Sequence, residues 1–203
     1  MKTIGITGGV GAGKSLILNY IESHYRAKIY MADDIANFLK EPGQSCYEPI
    51  VELLGAEILD RVGGIDKQKM AERIFGEREL LQRVNDILHP AVKQFVLSEI
   101  ERERKKKEID FFILEAALLI EEHYDAILDE LWYIRAEEEI RSDRLRQSRG
   151  YSDEKIRNIM KNQLSDEVFA KHCKVIIENN HDPEETYRQI DKKLGEYIGA
   201  ESK

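Results

Sequence analysis

Ile4-Gly5-Ile6-Thr7-Gly8-Gly9-Val10-Gly11-Ala12-Gly13-Lys14-Ser15-Leu16 is the stretch on which the fold turns. Within it, Gly8, Gly13, Lys14 and Ser15 fill the pattern G-x-x-x-x-G-K-[ST], a phosphate-binding loop. The glycines let the backbone curl so that successive N–H groups aim at one centre. Lys14 brings a mobile positive charge to β- and γ-phosphates, and the Ser15 hydroxyl is of the kind that ligates Mg²⁺. Residues 2–7 read as a short buried strand and 14–25 as a helix with one apolar face. Strand, glycine loop and helix together are the setting the motif requires, and the helix N-terminus adds its own partial positive charge. The stretch predicts binding of a nucleoside triphosphate.

Outward from the loop, the chain alternates short apolar runs with helical periodicity. Further strands are expected at 27–31, 110–116, 130–134 and 174–178. Helices are expected at 33–40, 44–54, 66–75, 78–107, 137–147, 153–163 and 183–198. Short apolar strands separated by helices imply an α/β fold with a five-stranded parallel sheet covered on both faces. The block between the second and third strands is too large for a simple crossover, and reads as a helical subdomain. Pro90 falls inside its last helix and is expected to kink or split it. The charged run 101–108 invites a nucleic-acid reading. Glu101/Lys105 and Glu103/Lys107 are nevertheless spaced as i,i+4 ion pairs on a solvated helix end.

Composition sets further bounds. The 203 residues suffice for one sizeable core with a small appended domain. A net charge of -8 argues against wholesale binding of DNA or RNA. Cys46 and Cys173 form no C-x-x-C pair and read as ordinary thiols of a reducing compartment. The first strand begins at once, and no apolar run approaches the ~20 residues of a membrane span. A cytoplasmic location is expected.

Phosphoryl transfer needs an acceptor-side carboxylate, acidic help for the metal and cations over the moving phosphate. Asp33 directly follows the second strand, which suits either a base or a helix cap. Glu115 ends the third strand, a place for a carboxylate that holds Mg²⁺ through water. Arg141, Arg144, Arg146 and Arg149 lead into Gly150. On one helix 141 and 144 lie together while 146 and 149 point elsewhere, so two of the four are expected at the nucleotide. Glu137/Arg141 is also an i,i+4 pair.

Several further motifs complete the series. Ala32-Asp33-Asp34-Ile35-Ala36, Glu41-Pro42-Gly43, Arg73-Ile74-Phe75 and Leu88-His89-Pro90 follow the loop in order. Ala117-Leu118-Leu119-Ile120-Glu121, Arg149-Gly150-Tyr151-Ser152, Asn162-Gln163 and Ile177-Glu178-Asn179-Asn180 come after them. With the loop, they resemble the dephospho-CoA kinase family over nearly the whole chain. The resemblance implies transfer of the ATP γ-phosphate to the ribose 3′-hydroxyl of dephospho-CoA, the last step of coenzyme A biosynthesis. It implies Asp33, Lys14, Arg144 and Arg149 as catalytic residues. Gly8, Gly11, Ala12, Gly13, Lys14, Ser15, Leu16 and Asn180 would bind ATP, and Asp33, Arg73 and His89 the acceptor. Mg²⁺ would be held by Ser15, and by Glu115 through water.

The implied organisation is a P-loop nucleotide-binding core (1–43, 108–140, 172–203), an acceptor subdomain (44–107) and a lid (141–171). A monomer or weak homo-oligomer is expected, with no nucleic-acid or membrane partner. Departures from the family pattern are Met31, Asn37, Ala117, Ser148 and His181, where Asp, Arg, Pro, Arg and Gly are usual. Another small-molecule kinase, acting on a nucleoside monophosphate or a shikimate-like acceptor, is the alternative within enzymes. A nucleotide-binding switch is the alternative outside them, and the chain lacks the N-K-x-D motif that usually reads guanine.

Overall fold

The structure is a computed structural model that describes residues 1–201. Its strands are β1 (Lys2–Thr7), β2 (Ala27–Met31), β3 (Phe111–Glu115), β4 (Glu130–Arg135) and β5 (Val175–Glu178). Among the described residues they form one five-stranded parallel sheet in the order β2-β3-β1-β4-β5. The register sets Ile4 beside both Ile113 and Glu130, and Arg135 beside Glu178. Ile4, Ile6, Phe112, Ile113, Leu114, Trp132 and Ile134 are fully buried. Alternating strand residues therefore find apolar partners on both faces, which is why these strands read as continuous apolar runs.

The helices are α1 (Lys14–His24), α2 (Ala32–Leu39), α3 (Tyr47–Leu54), α4 (Lys67–Ile74), α5 (Arg78–Lys106), α6 (Glu138–Arg149), α7 (Asp153–Lys161), α8 (Asp166–His172) and α9 (Pro183–Glu201). The chain divides into two compact units: Met1–Tyr30 with the chain from Glu103 onward, and Met31–Arg102. The first holds the sheet, α1 and α6 to α9. The second holds α2 to α4 and most of α5, with its own core of Ile35, Leu39, Ile50, Leu54, Ile58, Val84 and Val96. Asp66 caps α4 by accepting from the amides of Gln68 and Lys69, as its side-chain type predisposes it to do.

Three expectations need correction, and one element was not expected. α3 starts at Tyr47 rather than 44, because Gly43 at φ 85° and the Gln44 N–H to Glu41 O bond of 2.9 Å make a turn first. α5 runs unbroken through Pro90, so the proline does not split it. Proline removes the donor for the carbonyl four residues back, here that of the exposed Asp86, which water can serve. Next to it, the Cys46 thiol approaches the Ile87 carbonyl at 3.9 Å. α8 is a helix that periodicity did not announce: at seven residues it spans only two turns.

The third correction concerns Glu103. Its carboxylate is 2% exposed, not part of a solvated face, and accepts from Lys28 at 2.8 Å, Lys106 at 3.1 Å and the Tyr30 hydroxyl at 3.2 Å. Lys107, its expected partner, has left the helix at φ 58°. The hydrogen bond from Lys28 is the main cause that holds the Glu103 carboxyl down at about 2. Both cysteines are free and buried, and burial pushes the Cys173 thiol up to about 12.

Candidate active site

β1 delivers the chain into the glycine loop, and α1 leaves it. Gly8 has φ 152°, and a Cβ there would lie 2.5 Å from the Ile134 carbonyl oxygen on β4. Gly13 has φ 87°, and a Cβ there would lie 2.2 Å from Nδ2 of Asn179. Both positions thus combine a backbone conformation that side chains avoid with a neighbour that leaves no room. The loop is drawn tight between β4 and the end of β5.

Two of its carbonyls are held from outside the loop. The Ala12 carbonyl accepts from Asn179 Nδ2 at 2.7 Å and from Arg144 Nη1 at 3.4 Å, and the Val10 carbonyl accepts from Arg141 Nε at 3.0 Å. In a planar trans peptide the C=O and the following N–H point in opposite directions. Outward carbonyls at 10 and 12 therefore turn the amides of Gly11 and Gly13 to the other side of the loop. The first amides of α1 add to them, since a helix start has no intrahelical acceptor for these donors. This is a concave set of donors suited to an anion.

Lys14 Nζ donates to the Gly8 carbonyl at 2.8 Å and stands 3.4 Å from Oε1 of Glu115, with both side chains largely buried. Ser15 is exposed at the start of α1. Among the described residues no group of three or more His, Cys, Asp or Glu could hold a metal unaided. A serine hydroxyl and one carboxylate are donors of the kind Mg²⁺ takes, since it keeps several waters and draws its other ligands from phosphate.

The arginines of α6 divide as helical geometry requires. Arg141 and Arg144 turn to the loop; Arg144 also donates to the Asn179 carbonyl at 2.9 Å. Arg146 pairs with Asp143 and Asp153, and the Arg149 guanidinium lies 5.9 Å from the Tyr151 ring centre. Arg141 is only 9% exposed and engages Val10 and Gln163, in place of the surface pair with Glu137 that the spacing suggested. Burial lowers the pKa of Arg141 and of Arg144, and for Arg141 the electrostatic interactions with Tyr133, Asp166 and Glu138 oppose the shift. Guanidinium stays protonated regardless.

Two residues take roles here that the sequence reading did not give them: Arg141, buried against the loop, and Asn179, named there only as part of the Asn179-Asn180 motif beside the nucleotide. Asn179 is 1% exposed; it accepts from the Thr186 hydroxyl at 3.1 Å while donating to Ala12. Asn180, the residue expected at ATP, accepts from the Glu137 amide at 2.7 Å and donates to Glu178 at 3.2 Å. The pair is adjacent in sequence, so only the alternation of facing after β5 separates their roles.

In the second unit, Asp33 is the second residue of α2 and is exposed. Its charge partly offsets the lowering of the Lys40 pKa, which burial causes and Lys67 reinforces. Arg73 stands 3.8 Å from Glu57, with both side chains well exposed. His89 is half-buried in α5 immediately before Pro90.

Comparison with known proteins agrees with this geometry. The family profile for dephospho-CoA kinase matches residues 2–185. A dephospho-CoA kinase of Aquifex aeolicus is 34% identical over 193 residues, covering 95% of each chain. One from Fusobacterium nucleatum is 33% identical over 190 residues, covering 93% of this chain and 95% of that one. Among solved structures, a Thermus thermophilus protein superposes with TM-score 0.79 at 26% identity, covering 96% of this chain and 97% of the other. The dephospho-CoA kinase from Campylobacter jejuni, at 20% identity and TM-score 0.71, covers 97% of both chains and shares the fold.

Proposed function

The chain belongs to the dephospho-CoA kinase family, and from that premise we propose how its residues divide the work. The reaction is ATP-dependent phosphorylation of dephospho-CoA at the ribose 3′-hydroxyl. The hydroxyl oxygen bonds to the γ-phosphorus as the bond from that phosphorus to the β–γ bridging oxygen breaks, giving CoA and ADP. Little covalent work falls to the protein, so its tasks are positioning, proton removal and charge neutralisation.

In this reading the loop around Gly8, Gly11, Ala12 and Gly13 holds the ATP phosphates, with Leu16 and Asn180 on the nucleotide side. The observation that carries it is the pair of carbonyls at Val10 and Ala12 held by Arg141 and Asn179, which leaves the Gly11 and Gly13 amides for an anion. Lys14 swings from Gly8 and Glu115 to the β- and γ-phosphates, a change that only a flexible ammonium can make. Arg144 and Arg149 add positive charge as the phosphoryl group moves. Asp33 takes the proton of the ribose hydroxyl, a role supported by its exposed carboxylate directly after β2. Arg73 and His89 bind the acceptor. Ser15, and Glu115 through water, would hold Mg²⁺, whose chemistry is to neutralise charge on the β- and γ-oxygens.

The proposed organisation is a nucleotide-binding core, an acceptor subdomain (44–107) and a lid (141–171), while by compactness the second unit runs from Met31 to Arg102. The protein works as a cytoplasmic monomer or weak homo-oligomer without nucleic acid. Among the described residues no helix is long and apolar enough to cross a membrane. Asp33→Asn tests the division of labour. It is expected to lower kcat by about 10²–10⁴, with ATP affinity unchanged within about twofold by calorimetry. Full turnover in Asp33→Asn would leave Asp33 as a first-turn acid of α2 with no part in proton removal, since the N-cap position is held by Met31.

A further inference from the structure

Arg141 does more than fill space. It is 9% exposed, its Nε donates to the Val10 carbonyl at 3.0 Å, and its Nη2 donates to Oε1 of Gln163, in the turn after α7. The guanidinium also occupies the place a side chain would need at Gly9, where an added Cβ would sit 2.2 Å from Nη2. Gly9, unlike Gly8, Gly11 and Gly13, does not have a left-handed backbone. Its lack of a Cβ therefore serves the guanidinium rather than a turn. Asp166, which accepts from the Tyr133 hydroxyl at 2.7 Å, and Glu138 supply the field that offsets the buried charge.

We propose that Arg141 is a positioning residue that presets the phosphate loop for ATP and, through Gln163, joins the loop to the end of α7. It holds the 10–11 peptide with its carbonyl outward, so the Gly11 amide already faces the anion site before nucleotide arrives. A loop free to rotate that peptide would have to order it on binding, at a cost in affinity. Because Nε serves Val10 and Nη2 serves Gln163, one planar group fixes both. A lysine could serve only one of them well. The inference rests on residues 8–16 being the ATP loop.

The test is calorimetric titration of ATP with Mg²⁺ into the full chain, alongside steady-state KM values for both substrates. Arg141→Met is expected to weaken ATP binding about tenfold, the scale of a lost buried charge-assisted hydrogen bond, while the KM for dephospho-CoA stays within about twofold. Gln163→Leu is expected to weaken ATP binding about threefold, and the double variant to be no weaker than Arg141→Met alone. Gly9→Ala gives an independent route, since its methyl displaces the guanidinium without removing it. It should reproduce the tenfold loss and add nothing in the Arg141→Met background, and it stands as the test should Arg141→Met not fold. ATP affinity within twofold of the unaltered protein in Arg141→Met or Gly9→Ala, or full additivity with Gln163→Leu, overturns the proposal. Lys14→Ala separates this from the ATP reading itself: were ATP binding absent in the unaltered chain, or indifferent to Lys14→Ala, the loop assignment would fall first.

Discussion

Glu103 and Asn179 show how single side chains act inside the sheet-bearing unit. Removing the charge in Glu103→Gln weakens the bonds from Lys28 and Lys106, which are charge-assisted and worth about 1.5–3 kcal/mol. At about 2–4 °C per kcal/mol for a chain of this size, the expected fall in Tm is about 3–12 °C. Because the folded pKa is depressed from 4.5 to about 2, the contribution is fully present above the ordinary carboxylate range. It is lost as pH falls from 4.5 through about 2. The gap in Tm between the unaltered protein and Glu103→Gln should therefore narrow below pH 4.5; a gap constant from pH 6 to pH 3 would mean that packing, not charge, carries the effect. Asn179 is tested by the order of its variants. Asn179→Ala leaves the Ala12 carbonyl with one donor fewer, whereas Asn179→Asp sets a carboxylate against it. ATP KM should rise about tenfold in the first and further in the second. Equal KM values in the two would show that the amide donor is not what matters.

At the scale of elements, most of the architecture was legible because burial on both sheet faces writes an unbroken apolar run. β2 falls at the expected Ala27–Met31, and β5, at Val175–Glu178, begins one residue after the expected start at 174. α8 was missed because a two-turn helix buries only Phe169, too little for a period to show. α5 held the opposite lesson: the proline rule describes a cost, and a long helix can bear it where water serves the orphaned carbonyl. Pro90→Ala restores that donor, so Tm should rise by the equivalent of about 1–3 kcal/mol. A lower Tm would show that the ring itself is needed where it stands. The arginine-rich α6 was readable as to facing, but not as to what each face meets. Spacing distinguishes Arg141 and Arg144 from Arg146 and Arg149, yet the Val10 and Ala12 carbonyls they reach lie some 130 positions earlier, beyond any local pattern.

For the whole molecule, the glycine loop points to the donor chemistry, whereas the acceptor is read from family motifs scattered over both units, among them those around the proposed acceptor residues Asp33 and His89. Those motifs carry no periodicity, so the residues alone indicated a kinase, and family membership supplies dephospho-CoA. Departures at Met31, Asn37 and His181 leave Lys14, Ser15 and Asp33 intact, which keeps the donor loop and the proposed base in one chain. The most direct measurement is the initial rate of ADP formation by the purified chain with ATP and Mg²⁺, comparing dephospho-CoA with AMP, adenosine and shikimate as acceptors. Turnover with dephospho-CoA, yielding CoA, and at most background rates with the other three is the expected result. Turnover with one of those three and none with dephospho-CoA would contradict it.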